Sequence, residues 1–361
     1  MKFVDEYRSK RLIDALIREI SQCTERTYTW MEVCGGHTMA IHRFGIPALL
    51  PENIHLLSGP GCPVCVTHKA FIDRAIAYAR MKEVIVTSFG DLLRVPGSYS
   101  SLEKERAQGH DVRIVYSLLD ALEIAKNNPG REVVFLGIGF ETTAPGSAVG
   151  ILEAERRKIH NFSLLSAHKL MPPAMEAIVE EGVALDGYIC PGHVSTITGT
   201  SIYQHIPERY GLACVITGFE PVDILQSILM LIRQVKEKNP SVEIQYKRAV
   251  QENGNPRAQE YMHQVFEKRA DYWRGLGIIQ GSGLGIRKEF RRFDAEYKMP
   301  VETETTEEHK ACICGEILKG LQKPTDCKLF DNTCNPSNPV GACMVSPEGT
   351  CQAYFRYKQY V

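Results

Sequence analysis

The sequence has no long apolar run and almost no net charge. No apolar stretch approaches the ~18 residues that a membrane-spanning helix needs. Lysine and arginine total 42, aspartate and glutamate total 43, and the formal net charge is -1. This balance argues against a general affinity for nucleic acid or anionic lipid. The first 20 residues contain no signal-peptide pattern. We therefore expect a soluble, cytoplasmic protein that binds neither nucleic acid nor membranes.

Cysteine, by contrast, is abundant. The chain of 361 residues has 12 cysteines, and six of them lie between positions 312 and 351. In a reducing compartment, clustered cysteines more often bind metal or exchange electrons than form structural disulfides. Three more cysteines lie in glycine-rich surroundings, namely Cys34, Cys62 and Cys65. The remaining three are isolated, and a buried inert thiol is the simpler interpretation for Cys23, Cys190 and Cys214.

Short apolar strands alternate with segments of helical periodicity. Eight strands are predicted, in the segments YTWMEV, NIHLLS, EVIVTS, DVRIVYS, EVVFLGI, FSLLSA, LDGYIC and LACVIT. This alternation is typical of βαβ units, and the continuous apolar character predicts parallel strands that are buried on both faces. We expect an α/β protein with two similar parallel-sheet domains, followed by a cysteine-rich domain.

The predicted boundaries follow from these patterns. The apolar spacing in residues 3–20 predicts an amphipathic helix, which defines an N-terminal segment at 1–27. The two α/β domains are predicted at 28–128 and 129–235, and the cysteine-rich domain at 236–361. The last of these has little capacity for a hydrophobic core, so a metal or a disulfide is needed to hold it together.

The glycine-rich turns lie where a parallel sheet binds its ligands, beyond the carboxyl ends of the strands. Cys34 and His37 share the turn CGGHT, and Cys62 and Cys65 share the turn GPGCPVC. A helix begins just after the C-x-x-C pair, and a helix N-terminus makes thiols more reactive. The pair could still be a redox dithiol, half of a metal site or two buried thiols.

Other strand ends carry polar residues with less specific patterns. Glu141 and Thr142 lie in GFETT, and His193 lies in PGHVS. His193 could equally be a turn residue satisfied by backbone, and Asp91 in SFGD could be a helix N-cap. The segment GSGLG at 281–285 does not match a dinucleotide-binding pattern, so we give it no weight.

The tail has the spacing C-x-C-x12-C-x6-C-x8-C-x7-C. It has neither the paired C-x2-C knuckles of a zinc ribbon nor the C-x2-C-x2-C run of a bacterial ferredoxin. Four spaced cysteines can still bind one [4Fe–4S] cluster, because each iron needs one thiolate. A zinc site and a set of disulfides remain as alternatives.

Several motifs together resemble the HypD family of [NiFe]-hydrogenase maturation factors. They are MEVCGGHT, LLPENIHLLSGPGCPVC, GFETT, PGHVS and the tail from CGEILKG to MVSPEGTC. The resemblance covers essentially the whole chain. It implies two α/β domains and a third domain with a [4Fe–4S] cluster, on which we expect the N-terminal helix to pack.

The resemblance also implies a function. HypD proteins bind the small chaperone HypC, and the pair holds the iron on which the Fe(CN)2(CO) unit of the hydrogenase is assembled. Cyanide is delivered by the HypE–HypF pair, and the finished unit passes to the hydrogenase large subunit. Carried over to this chain, Cys34 is the thiolate that binds the iron, and His37 lines the site. Such iron suits soft thiolate donors.

The family pattern also suggests roles for the other cysteines. Cys62 and Cys65 correspond to a dithiol between the iron and the cluster. Cys312 and Cys343 then form a second redox pair, which completes a path for electrons from the cluster to the iron. The expected ligands of the cluster are Cys314, Cys327, Cys334 and Cys351. A rival hypothesis is a stand-alone iron–sulfur-dependent thiol–disulfide oxidoreductase, and a third is a zinc-stapled structural protein.

Overall fold

In the computed structural model of the chain, most strands belong to two separate parallel sheets. The structure describes residues 2, 4–303, 305–306 and 308–358, so the outermost residues of the predicted segments 1–27 and 236–361 lie outside the described part. The strands are β1 (Tyr28–Glu32), β2 (Ile54–Ser58), β3 (Val84–Ser88), β4 (Val112–Ile114), β5 (Glu132–Gly139), β6 (Phe162–His168), β7 (Gly187–Pro191), β8 (Ala213–Thr217), β9 (Val242–Ile244), β10 (Phe266–Trp273) and β11 (Gly277–Ile286).

Helices connect these strands and cover the sheets. The α-helices are α1 (Lys10–Cys23), α2 (Gly35–Arg43), α3 (Ile46–Leu49), α4 (Pro63–Val66), α5 (Lys69–Ala79), α6 (Leu102–Ala107), α7 (Leu118–Asn127), α8 (Ala144–Arg156), α9 (Met171–Glu180), α10 (Gly192–Thr198), α11 (His205–Tyr210), α12 (Pro221–Lys236), α13 (Pro256–Val265), α14 (Ala295–Lys298), α15 (Cys314–Leu318) and α16 (Thr350–Arg356). Short 3₁₀ turns lie at Asp5–Arg8, Gly90–Arg94, Ser201–Tyr203, Lys288–Phe293, Pro324–Asp326 and Ala342–Met344. No helix in the described residues is long and apolar enough to cross a bilayer.

The predicted α/β class and its eight strands are confirmed. One sheet has the order β2-β1-β7-β8-β9 and the other the order β4-β3-β5-β6, and all their neighbouring strands are parallel. Strands β3, β6, β7 and β8 are buried along their whole length, as the continuous apolar runs predicted. Strands β10 and β11 form a separate antiparallel hairpin.

The sheets divide the chain differently from the predicted boundaries. The chain completes β1 and β2, leaves to build the whole four-stranded sheet, and returns at β7 to pair with β1. The predicted segment 28–128 therefore contributes strands to both sheets, and so does the segment 129–235. Buried parallel strands resemble one another in sequence, so their composition does not reveal which sheet they join.

The N-terminal helix and residues 256–298 also pack differently from the expectation. The apolar side of α1, with Ile20 at its centre, joins the core formed by α12, and Glu19 pairs with Arg233 of that helix. Among the described residues, the N-terminal helix therefore packs on α12, which belongs to the five-stranded sheet's side of the molecule, and not on the cysteine-rich tail. Residues 256–298 pack against the four-stranded sheet, because Phe266 and Leu284 of the hairpin join its core. The segment GSGLG lies inside β11.

Candidate metal centre and thiol chain

The predicted turns around Cys34 meet at one edge of the five-stranded sheet. The segment that follows β1 carries Cys34 and His37, and the GPGCPVC turn follows β2 on the neighbouring strand. The turn after β8 carries Phe219, and His193 follows β7. Since carboxyl ends of parallel strands share an edge, this fold gathers residues that are distant in the sequence.

Cys34 is the N-cap residue of α2 and is 9% exposed. The backbone N–H groups of Gly36 and His37 donate hydrogen bonds to its sulfur. Burial, followed by the nearby charge of Glu348, raises the pKa of Cys34 to about 12. Without a cation, this side chain is therefore a neutral thiol at physiological pH. A bound metal ion would displace the proton, and the two N–H groups would then stabilise the thiolate.

The buried carboxyl group of Glu32 is hydrogen-bonded to the backbone of Cys34. Glu32 is 1% exposed, and its Oε2 accepts a hydrogen bond of 3.0 Å from the backbone N–H of Cys34. Its Oε1 accepts a short hydrogen bond from the Thr38 hydroxyl. Burial raises the pKa of Glu32 to about 8. Glu32 and Thr38 were not among the predicted site residues, although Glu32 lies two residues before the CGGHT motif and Thr38 ends it.

His37 is fully buried, and its hydrogen bonds define its tautomer. Its Nε2–H donates to the carbonyl oxygens of Thr217 (3.1 Å) and Gly218 (3.0 Å), so Nδ1 carries the lone pair. Burial lowers the pKa of His37 to about 4, which keeps the ring neutral. Nδ1 is buried and has no hydrogen-bond partner in the described part of the chain. His37 thus offers one unused acceptor close to Cys34.

Phe219 lies between two histidine rings. Its ring stacks on His37 at a centroid distance of 4.6 Å and on His193 at 3.9 Å, each with an interplanar angle of 22°. A Cβ atom on Gly36 would lie 2.9 Å from this ring. The structure therefore brings His193 to the Cys34 turn through Phe219. Phe219 lies in the segment GFEP at 218–221 and was not among the predicted site residues.

The GPGCPVC turn lies directly against Cys34. The Gly35 N–H donates to the Gly61 carbonyl oxygen over 3.0 Å, and a Cβ atom on Gly61 would lie 2.3 Å from the Cys34 nitrogen. Only glycine permits this approach of two backbones. Cys62 is next in the chain, and its sulfur accepts a hydrogen bond of 3.3 Å from the Cys65 N–H. Both thiols are buried and free.

The six cysteines of the tail line a single narrow pocket. Its remaining lining is largely apolar. This donor set fits a [4Fe–4S] cluster, since soft thiolates surround a small apolar space. In the described part of the chain, no three His, Cys, Asp or Glu side chains are grouped closely enough to hold a single metal ion. The lining cysteines are Cys312, Cys314, Cys327, Cys334, Cys343 and Cys351.

The pairing inside this pocket differs from the predicted one. We expected Cys312 to pair with Cys343, but the Cys314 thiol donates to the Cys343 sulfur over 3.0 Å. Cys312 instead lies beside Gly341. The backbone between the two cysteines is not extended, because Ile313 has φ -95° and ψ 24° and Cys314 begins α15. The two sulfurs therefore do not share one face as they would in a strand.

The same pair continues the line of thiols from the GPGCPVC turn. The Cys65 thiol is hydrogen-bonded to both Cys62 and Cys343, and burial, followed by these contacts, raises its pKa well above the ordinary value. Cys62, Cys65, Cys343 and Cys314 thus form a continuous line of buried thiols. It runs from the turn beside Cys34 to the pocket in the tail.

Three of the predicted site residues do not line the Cys34 site. Glu141 is buried under the four-stranded sheet, where its Oε1 accepts a hydrogen bond of 3.0 Å from the Met171 N–H. Thr142 lines a separate surface pocket of that sheet. Asp91 is exposed, and its charge adds to burial in raising the pKa of Glu348. Asp91 therefore lies near Glu348, and Glu348 in turn lies next to the Cys34 turn.

Comparison with known proteins identifies the family of this chain. The family model described as "HypD: Hydrogenase formation hypA family" matches residues 10–358. The chain belongs to the HypD family. It is 47% identical to the hydrogenase maturation factor HypD of Cupriavidus necator over 100% of this chain and 98% of the relative. It is 48% identical to HypD of Azotobacter vinelandii (99% and 97% covered) and 44% identical to HypD of Escherichia coli (99% and 99% covered). The family relationship expected from the motifs is thus confirmed.

Proposed function

We propose that this chain is a scaffold on which the Fe(CN)2(CO) unit of [NiFe]-hydrogenase is assembled, and that Cys34 binds the iron. The observation that carries the proposal is the position of the Cys34 sulfur, which accepts hydrogen bonds from two N–H groups at the start of α2. These groups would stabilise the thiolate that an iron ion requires. The relatives are named hydrogenase maturation factors, which supports the same function.

The surrounding residues have supporting roles in this proposal. Glu32 holds the Cys34 backbone in place, and Gly61 permits the close approach of the second turn. The free Nδ1 of His37 can accept a hydrogen bond from a group beside the iron. We propose that a cysteine of HypC supplies a further iron ligand, with HypE–HypF delivering cyanide and the hydrogenase large subunit receiving the product.

We further propose that the tail holds a [4Fe–4S] cluster, which would supply single electrons. The contact between Cys314 and Cys343 favours a revised set of ligands. The second dithiol is then Cys314 with Cys343, next to Cys65. The four remaining cysteines of the pocket, which would bind the cluster, are Cys312, Cys327, Cys334 and Cys351.

The dithiols connect the two centres in this proposal. Thiol–disulfide exchange needs sulfur atoms in contact, and each neighbouring pair in the line from Cys62 to Cys314 meets this requirement. Reducing equivalents can therefore pass between the tail and the turn beside Cys34 without a diffusing carrier. A stand-alone thiol–disulfide oxidoreductase would use the same line of thiols for a protein substrate.

Infrared spectroscopy with iron analysis separates these two functions. The chain is co-expressed with HypC and purified without oxygen. A scaffold should show CN and CO stretching bands and more iron than one cluster contains. An oxidoreductase should contain the cluster iron alone and show no such bands, a result that would overturn the scaffold proposal.

A further inference from the structure

Arg274 lies where three segments of the chain meet, directly after β10, and is 6% exposed. Its backbone N–H donates to the Val66 carbonyl oxygen over 2.8 Å. Its guanidinium donates to the carbonyl oxygens of Cys65 and Thr67, each over 2.9 Å. The hairpin is therefore tied to α4, the helix that carries Cys65. Three hydrogen bonds to successive residues leave this helix little freedom to move.

The same hairpin also contacts the cysteine-rich tail. Gly275 has a φ of +85°, and a Cβ atom there would lie 2.6 Å from the Gly315 carbonyl oxygen. Gly315 directly follows Cys314. The guanidinium of Arg274 also forms an ion pair with Glu308, just before the tail. Arg274 and its neighbour thus link the segment of one dithiol to the segment of the other.

The charge of Arg274 lies near the thiols. Burial acts against this charge, but Cys314, Glu308, Cys343 and Cys65 together raise the pKa of Arg274 above its ordinary value. Glu308 is half exposed, and its carboxylate also forms an ion pair with the buried Lys69. A cation in this position stabilises negative charge on a neighbouring sulfur.

We propose that Arg274 is a positioning residue of the thiol relay, which holds Cys65 against Cys343 and stabilises the thiolate that leaves during exchange between the two pairs. This inference rests on the proposed redox function of the dithiols. It adds a residue that has no sulfur and lies on the hairpin, outside the cysteine motifs.

The exchange itself is balanced within the chain. The Cys65 thiolate attacks Cys343 in a Cys314–Cys343 disulfide, and the electron pair of that bond leaves on Cys314. The Cys62 thiolate then attacks Cys65, and the electron pair of the Cys65–Cys343 bond leaves on Cys343. Two electrons and two protons have moved from Cys62 and Cys65 to the Cys314–Cys343 pair. The reverse sequence needs the same atoms, so no further reagent is required.

The test measures how fast a disulfide moves between the pairs. The full chain in complex with HypC is reduced and given one equivalent of diamide, a thiol oxidant. Free thiols are alkylated at intervals, and peptide mass spectrometry locates the disulfide. We expect Arg274→Gln to slow redistribution about tenfold and Arg274→Lys, which keeps the charge, to slow it by no more than about threefold.

Arg287→Gln is the matched control. Arg287 directly follows the hairpin and also donates to backbone carbonyl oxygens, those of His263 and Phe266. Among the described residues, its side chain has no hydrogen bond to a cysteine. Its variant should redistribute the disulfide at the wild-type rate. Glu308→Gln, on the surface, frees the charge of Arg274 and should accelerate the exchange, which gives a second test if Arg274→Gln does not fold.

Three outcomes would overturn the inference. A wild-type rate in Arg274→Gln would remove the role altogether, and an equal loss in Arg274→Lys and Arg274→Gln would exclude the part played by charge. A Glu308→Gln variant no faster than wild type would do the same. If the wild-type chain itself forms no disulfide at either pair, the redox proposal fails, and the role of Arg274 falls with it.

Discussion

Two turns with the same three letters, GFE, have different surroundings. One follows β5 of the four-stranded sheet, and its Phe140 stacks on Trp273 at 5.9 Å. The other follows β8 of the five-stranded sheet, and its Phe219 lies between His37 and His193. The first aromatic ring fills a core, whereas the second forms one wall of the candidate iron site.

The glutamates of the two turns differ in the same way. Glu141 is buried and holds the start of α9, while Glu220 caps α12 and binds Arg8 near the surface. In the described part of the chain, neither forms a hydrogen bond with Cys34. The end of a strand thus places a turn where a site can form. Whether a site forms there depends on the side chains that the neighbouring strands place next to the turn. On the five-stranded sheet, the turn after β1 brings Cys34.

The largest expected difference between the two regions comes from their glycines. Gly61→Ala would drive a Cβ atom into the Cys34 backbone, whereas Gly146→Ala, in the first turn of α8, meets open space. We expect Gly61→Ala to destabilise the fold by about 2–4 kcal/mol and to abolish the CN and CO bands. Gly146→Ala should change stability by less than about 1 kcal/mol. Urea unfolding and infrared spectra of the same preparations provide the measurements.

Glu141 should make the four-stranded sheet sensitive to pH. Burial raises its pKa to about 7, so folding takes up a proton between the unfolded pKa, near 4.5, and that value. Its contribution to stability is therefore complete below pH ~4.5 and is lost as the pH rises through about 7. Over this range we expect a loss of about 3 kcal/mol that Glu141→Gln does not show. Thermal unfolding at pH 5 and pH 8 measures it, and parallel curves for both proteins would contradict it.

The two phenylalanines form a matched pair of variants. Phe140→Leu should cost about 1–2 kcal/mol of stability through lost packing but leave the infrared bands unchanged. Phe219→Leu removes the ring between His37 and His193, so we expect about threefold less bound iron unit at a similar cost in stability. Equal band intensities in both variants would show that Phe219 has no special role at the site.

The smallest effect is expected at Glu220. Its carboxylate accepts a hydrogen bond of 2.8 Å from an Arg8 side chain that is 41% exposed. Glu220→Gln should keep the cap of α12 and cost less than about 1 kcal/mol. The difference from wild type should shrink in ~1 M salt, where such pairs are screened. A difference that persists at high salt would indicate a role beyond this ion pair.

Much of the fold was predictable from local patterns, but the division between sheets was not. The eight predicted strands have continuous apolar runs that mark them individually. The strand β9 was missed because its three residues, VEI, include a charged residue and are only partly buried. The strand β10 was missed because its charged residues, as in FEKRADYW, hide the strand pattern. The return of the chain at β7 depends on pairing between residues that are far apart, which no local pattern records.

The site was predictable where a motif carried it. Cys34, His37, Cys62 and Cys65 lie where the turns predicted. Phe219 could not be assigned, because its role depends on packing against side chains from two other strands. The choice between Cys312 and Cys314 as the partner of Cys343 could not be made from the sequence for a related reason, since a C-x-C spacing cannot show which sulfur faces which neighbour.

The most direct test of the central claim compares two buried cysteines of the five-stranded sheet. Cys34→Ala and Cys214→Ala are each co-expressed with HypC, and infrared bands and cluster absorbance are recorded. Cys214 lies within β8, away from the strand-end turns. We predict that Cys34→Ala loses the CN and CO bands but keeps the cluster, while Cys214→Ala keeps both. Bands of wild-type intensity in Cys34→Ala would contradict the assignment of Cys34 as the iron ligand.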